Sequence, residues 1–146
     1  MKKRQHILFI FILLLQLIFI VIPICLYLAG KLYSSPKKIY EINWNLSLPD
    51  DLKLQADYKN TESFHNDGNR HSIFYMSENK EFISDFNQDQ NSGIEELCQN
   101  IMSLLNEAEA DFSQPYLWCK YQKYGNVLVI IYFPSCQQLH LFQDFK

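Results

Sequence analysis

The residues best suited by type and spacing to do chemistry lie in one short run, Phe64-His65-Asn66-Asp67-Gly68-Asn69-Arg70-His71. Two imidazoles, one carboxylate and one guanidinium fall within seven residues. His65, Asp67 and His71 could bind a metal ion or share a proton, with Arg70 beside them. The same run also reads as a hydrophilic loop whose Asp-Gly makes a turn. His65, Asp67, Arg70 and His71 are therefore candidate binding residues. A catalytic site needs in addition a pocket and an oriented nucleophile or water. No catalytic residue and no metal ligand is assigned on the sequence.

A second oxygen-rich run is Asp85-x-Asn87-x-Asp89-x-Asn91, with Glu96 in the twelfth position. An EF-hand loop needs Gly at its sixth position and an apolar residue at its eighth. Gln90 and Ser92 stand there instead. Nucleophilic catalysis has little support, since no G-x-S-x-G, P-loop or H-E-x-x-H motif occurs. Cys98 falls on the apolar side of a helix and reads as a core residue. His140, between Leu139 and Leu141, reads as an outward strand residue. Cys98, Cys119 and Cys136 form no C-x-x-C pair, and three thiols allow one bridge at most. No cofactor is implied.

The elements that must hold these residues begin with an apolar stretch. Ile7–Gly30 is 24 residues without one ionised side chain. In a helix it spans ~36 Å, enough for a hydrocarbon core of about 30 Å. Gln16 is its one polar interruption, and Pro23 is expected to kink it. The run is long for a signal peptide, and bulky Tyr27 spoils the Tyr27-Leu28-Ala29 cleavage site. Cys25 follows Ile24 where a lipoprotein needs a small residue. The expected organisation is a basic tail at 1–6, a transmembrane helix at 7–30, a tether at 31–38 and one domain at 39–146. Lys2, Lys3 and Arg4 precede the span while Lys31, Lys37 and Lys38 follow it. Together with the terminal amine they favour an internal N-terminus, which puts the domain outside the cytoplasm at the cell membrane.

Charge divides at the same place. Residues 39–146 hold all 16 acids and seven of the 13 Lys and Arg, a net of −9. Such a domain repels phosphates, so no nucleic acid partner is expected. The bilayer is the partner of 7–30, and a protein or cell-envelope component is the partner expected for the domain.

Periodicity gives the domain an α+β plan. Strands are expected over Ile39–Leu46, over Leu52–Tyr58 with its period of two, and over Arg70–Ser77. Glu78–Phe86 reads as one or two helical turns. The main helix covers Ile94–Ala108, with Ile94, Leu97, Cys98, Ile101, Leu105 and Ala108 on one face and a Ser92/Glu95 capping box. Tyr116–Tyr124 is extended, Gly125-Asn126 turns, and Val127–Phe133 is the central strand. Gln138–Phe142 closes the sheet. About four or five antiparallel strands then pack against one helix, burying Phe74, Trp118, Val129 and Ile131. The aromatic set Tyr116, Trp118, Tyr121, Tyr124 and Tyr132 suits either this core or an interaction surface.

Phe64-His65-Asn66-Asp67-Gly68 before a strand resembles the F-x-G-D-G signature of small membrane-anchored or secreted proteins of low-GC Gram-positive bacteria. Val127–Phe133 and Leu139–Phe142 are similar to that group's closing hairpin. The likeness spans residues 40–146 loosely and departs at Asn66, where the group has Gly. It implies the location and the fold; with no activity assigned to the group, it transfers no catalytic residue.

The functional class that fits these features is a non-enzymatic, membrane-anchored binding domain. A metal-dependent enzyme or metal-binding domain would need the His65–His71 loop to converge with Cys119 or Cys136. A pilin-like subunit shares the plan of apolar helix and sheet, but lacks the Gly-Phe cleavage site and the acidic residue inside the helix. An immunity-type protein of the cell envelope is a further alternative.

Overall fold

The structure is a computed structural model that describes residues 16–28, 30, 35–60, 68–107 and 110–145. The chain divides into two units, Met1–Ile39 and Tyr40–Lys146. In the first, residues 16–28 form helix α1, and every one of them is exposed. Gln16 opens this stretch and Pro23 lies within it. No helix among the described residues is long and apolar enough to cross a membrane. Residues 7–15 of the expected span, Ile7 among them, and residue 29 lie outside the described residues; Gly30 lies within them.

Helix α2, Pro36–Trp44, replaces the strand expected over Ile39–Leu46 and takes in the end of the expected tether. Its start follows ordinary helix chemistry. The Ser35 hydroxyl accepts from the Lys38 amide at 3.3 Å, and Pro36 occupies the first turn, where its missing N–H costs nothing. Tyr40 and Trp44 are buried one helical turn apart, whereas Ile42 is exposed. That spacing fits a helix as well as loose alternation fits a strand. Asn45, at φ 52°, ends the helix.

The second unit is α+β, with one five-stranded antiparallel sheet in the order β1-β2-β5-β4-β3. The strands are β1 (Lys53–Lys59), β2 (Gly68–Tyr75), β3 (Leu117–Lys123), β4 (Asn126–Phe133) and β5 (Gln138–Phe145). Gly68 opens β2 at φ +126°, a conformation that strains any residue with a Cβ. Tyr124 and Gly125 both have positive φ and form the β3–β4 hairpin turn, one residue earlier than the sequence suggests. Residues 80–85 form hydrogen-bonded turns, closed by the Ile83 amide donating to the Asn79 carbonyl as in one helical turn, and Phe82, Ile83 and Phe86 pack against the core.

Both faces of the sheet are covered, where the sequence suggested one. Leu128, Ile130 and Tyr132 of β4 join Tyr40, Trp44, Leu48 and Phe74 in one core. Val129, Ile131 and Phe133 join Ile94, Cys98, Ile101 and Phe142 in the other. A strand buried on both faces needs no polar alternation, which explains the unbroken apolar run in β4. Phe74 thus belongs to the α2 side, opposite the helix it was expected to meet. The aromatic set also divides: Tyr116 and Tyr132 are buried, while Tyr121 and Tyr124 are exposed.

Helix α3 runs Ser92–Leu104 and is capped by Asn91, whose side chain accepts from the Ile94 amide at 3.1 Å. The expected Ser92/Glu95 box does not form. Glu95 instead accepts from the Tyr116 hydroxyl at 2.7 Å, and that hydroxyl accepts from the Asn91 amide at 2.9 Å. The Asp85–Asn91 run is likewise spent on structure. Asn87 pairs with Trp118, and the Asp89 carbonyl accepts from the Trp118 indole at 2.8 Å. Tyr116→Phe leaves the Asn91 amide without its acceptor. We expect it to cost about 1–2 kcal/mol, read as a lower urea midpoint at unchanged slope.

Candidate functional site

The site starts from the pairing of β2 with β5. His71 lies opposite Phe142, and Ile73 opposite His140. His71 and His140 are therefore diagonal neighbours on one face of two central strands, within reach of each other's rings. The face is the α3 side, where Phe142 stacks on His71 with centroids 4.0 Å apart. The third member comes from the end of α3. Leu105 closes the helix, Asn106 turns at φ 55°, and the Glu107 amide donates back to the Met102 carbonyl at 3.1 Å. This reversal brings the Glu107 carboxylate over the sheet.

The three residues form a buried relay. Glu107 Oε2 lies 2.6 Å from His71 Nδ1, and the two side chains are only 4% and 2% exposed. His71 Nε2 lies 3.1 Å from His140 Nδ1. His140 Nε2 lies 3.3 Å from Gln138 Oε1. The Gln138 amide then donates to Gln55 Oε1 at 3.0 Å. With the Gln138 oxygen facing His140, the bonds run outward from His71, to Glu107 on one side and through His140 and Gln138 to Gln55 on the other. In this arrangement His71 Nδ1 faces the Glu107 carboxylate, and His140 is a neutral ring that accepts at Nδ1 and donates at Nε2. Burial, with the charge on His71 second, pushes His140 down to about 3. A neutral His140 is what the bonding pattern requires.

The relay lines a cavity of about 310 Å³. That is the lower end of small-molecule pockets. Tyr58, Ile73, Met102 and Phe133 supply apolar and aromatic wall, and Asp111 and Gln114 supply polar groups. Glu107 Oε1 is buried and has no hydrogen-bond partner among the described residues. A larger cleft of about 630 Å³ holds Glu81, Asp85 and Cys119, but no comparable buried relay joins its polar groups among the described residues.

The candidates from the sequence separate. His65 and Asp67 lie outside the described residues. Arg70 and His71 are adjacent on β2 and so point to opposite faces. Arg70 serves the α2 side, where it binds Asp57 with two contacts of 2.8 Å. His71 is the one described candidate that reaches the cavity. His140, expected to point outward, is 6% exposed and is its partner. The expectation fails because β5 is covered on both faces, so both of its side-chain sets are buried. Glu107 was not anticipated, since the helical pattern was carried through to Ala108. The turn signal that could have revealed it is Asn106, a residue tolerant of positive φ. Cys119 and Cys136 do not line this cavity. Burial pushes the Cys119 thiol up to about 12, which keeps it protonated and inert. No group of three or more His, Cys, Asp or Glu among the described residues could hold a metal ion.

Comparison with protein-family models, curated proteins and solved structures returns no match.

Proposed function

We propose that this chain is a single-pass membrane-anchored protein whose acidic domain, outside the cytoplasm, binds a small ligand without transforming it. The observation that carries the binding function is the buried Glu107–His71–His140 relay opening onto a cavity. A histidine oriented by a carboxylate is also the core of hydrolytic triads. In those, the other imidazole nitrogen faces a hydroxyl or thiol. Here it faces His140, from which the bonds continue through Gln138 to Gln55. The groups are arranged to be bonded to, and no nucleophile among the described residues is activated by them.

Support for the anchor comes from the 24 apolar residues Ile7–Gly30 and from the exposure of residues 16–28. Leu17, Phe19 and Leu26 are each at least 60% exposed, a surface that water disfavours and lipid accepts. The −9 balance of the domain keeps it off anionic headgroups.

Two measurements test this function. Protease added to spheroplasts should remove the domain; survival while an exposed control is cut overturns the orientation. The full chain, purified in mild detergent and then denatured, should release an unmodified small molecule detectable by mass spectrometry. Ile73→Trp, which fills the cavity, should purify without it. The same molecules recovered from both proteins would overturn the assignment of the cavity.

A further inference from the structure

We propose that the outer edge of β3 receives an extended strand from a partner protein, which continues the sheet beyond Asn87 and places a basic side chain in the cleft of about 630 Å³. This surface is separate from the His71 cavity, since Cys119 and Ile130 place the cleft on the α2 side of the sheet.

The edge already shows how a strand is taken. The Asn87 amide donates to the Trp118 carbonyl at 2.8 Å, and the Trp118 amide donates to the Asn87 carbonyl at 3.0 Å. β3 therefore pairs antiparallel with one residue beyond the five strands. Both backbone polar groups of a strand residue point to one side, and successive residues alternate. Those of Trp118 point away from β4, so those of Lys120 and Gln122 do too. They have no backbone partner on that side among the described residues. Residues 120–124 are all exposed. An open edge of this kind is a template for a further strand.

The cleft decides what that strand carries. Asn87, Lys120 and Tyr121 border it, and Glu81 and Asp85 add two carboxylates. Cys119 packs on the α2-side core and Trp118 on the other, so alternation puts Tyr121 on the cleft side and the Lys120 side chain on the opposite face. Glu81 and Asp85 are then the charged side chains of the cleft. Directly opposite residues of two paired strands share a face. A partner residue opposite Tyr121 therefore enters the cleft, where carboxylates and a phenol ring suit Lys or Arg. A second copy of this chain fits less well, because two domains of net −9 repel each other.

Fluorescence anisotropy on the full chain in detergent, at physiological salt, tests this with a labelled Thr-Val-Thr-Lys-Thr-Val-Thr peptide and its counterpart with glutamate for lysine. The lysine peptide should bind at least about fivefold more tightly, and Glu81→Gln combined with Asp85→Asn should bring the two to within about twofold. Methylating the two threonine amides beside the lysine, which face β3, should weaken binding at least about tenfold. Methylating the lysine amide, which faces away, should change it by less than about twofold. Gln122→Pro removes an outward amide and no ladder bond, a place where edge strands accept proline, and should weaken the lysine peptide at least about fivefold. The methylated peptides on the wild-type chain decide the matter if that variant fails to fold. Equal losses on methylation at either position overturn strand addition. Lysine and glutamate peptides that bind alike overturn the role of the cleft, and absence of binding overturns the whole proposal. A wild-type dimer in sedimentation that Gln122→Pro turns into a monomer would assign the edge to a second copy and overturn the partner.

Discussion

Replacing His140 with asparagine should flatten the loss of stability that the wild-type domain suffers between neutral pH and about pH 4. The direction follows from proton linkage. His140 titrates at about 3 in the folded protein, against 6.5 for an ordinary histidine. Above pH 6.5 both folded and unfolded chains hold the ring neutral, and its contribution to stability is complete. Between these values the unfolded chain binds a proton that the folded chain refuses. Stability therefore falls as pH falls, by up to about 1.4 kcal/mol per pH unit and about 5 kcal/mol across the window. That is comparable with the whole stability of a small domain, ~5–15 kcal/mol. The groups facing His140 are His71, Gln138 and the rings of Phe133 and Phe142. Asparagine offers Oδ1 near the position of Nδ1, so His71 keeps an acceptor while the titrating group is gone. Urea unfolding at a series of pH values reads the effect. Parallel profiles for wild type and variant would assign the acid sensitivity to another group.

Asp57→Ala is expected to destabilise the domain by about 3 kcal/mol at neutral pH, through the opposite face of the sheet. The Asp57 carboxylate binds Arg70 with two contacts of 2.8 Å and accepts from the Ser72 hydroxyl at 2.6 Å. Ser72 Oγ lies 3.1 Å from the hydroxyl of Tyr40, which donates to the Leu141 carbonyl at 3.0 Å. Arg70 is 11% exposed and sits over the Tyr40 ring at 5.8 Å. Removing the carboxylate strands a largely buried guanidinium and leaves the Ser72 hydroxyl with Tyr40 as its remaining partner. Asp57→Asn keeps one acceptor and should cost about half as much. Adding Arg70→Met to Asp57→Ala should recover part of the loss, because the stranded charge is the expensive element. Equal destabilisation in the single and double variants would show that packing, and not charge, is what Asp57 supplies.

What could be read in the residues was whatever a single period decides. The stripe of α3 satisfies one period and no other, and the apolar run Val127–Phe133 is marked as a strand by its short length, its β-branched residues and its flanking turns. Ile39–Leu46 satisfies two, and the deciding signal there was local: Ser35-Pro36 is a helix start, and Tyr40 with Trp44 is a helical pair. The covering of both sheet faces was hidden for the same reason, since a misassigned α2 left nothing to lie on the second face. The site was half legible. The cluster around His71 pointed to the right strand, but Arg70 and His71 were grouped by closeness in sequence although strand alternation separates them. His140 and Glu107 lie 69 and 36 residues from His71. Only the β2–β5 register and the end of α3 bring them together, and neither is a local property of the chain.

The place of β5 in the sheet bears on how the domain is made. It is the last strand in sequence and the middle strand in space, bonded to β2 on one side and β4 on the other. Before it emerges from the ribosome, only two separate hairpins can exist, β1–β2 and β3–β4, each with one side unpaired. Joining them closes a long stretch of chain, which makes the step slow compared with hairpin formation. During synthesis both hairpins present open edges and apolar faces, the state in which chains aggregate or meet chaperones. The relay is assembled in that same final step, because His140 arrives on β5. Any truncation that removes Gln138–Phe145 would therefore abolish the cavity and the sheet together.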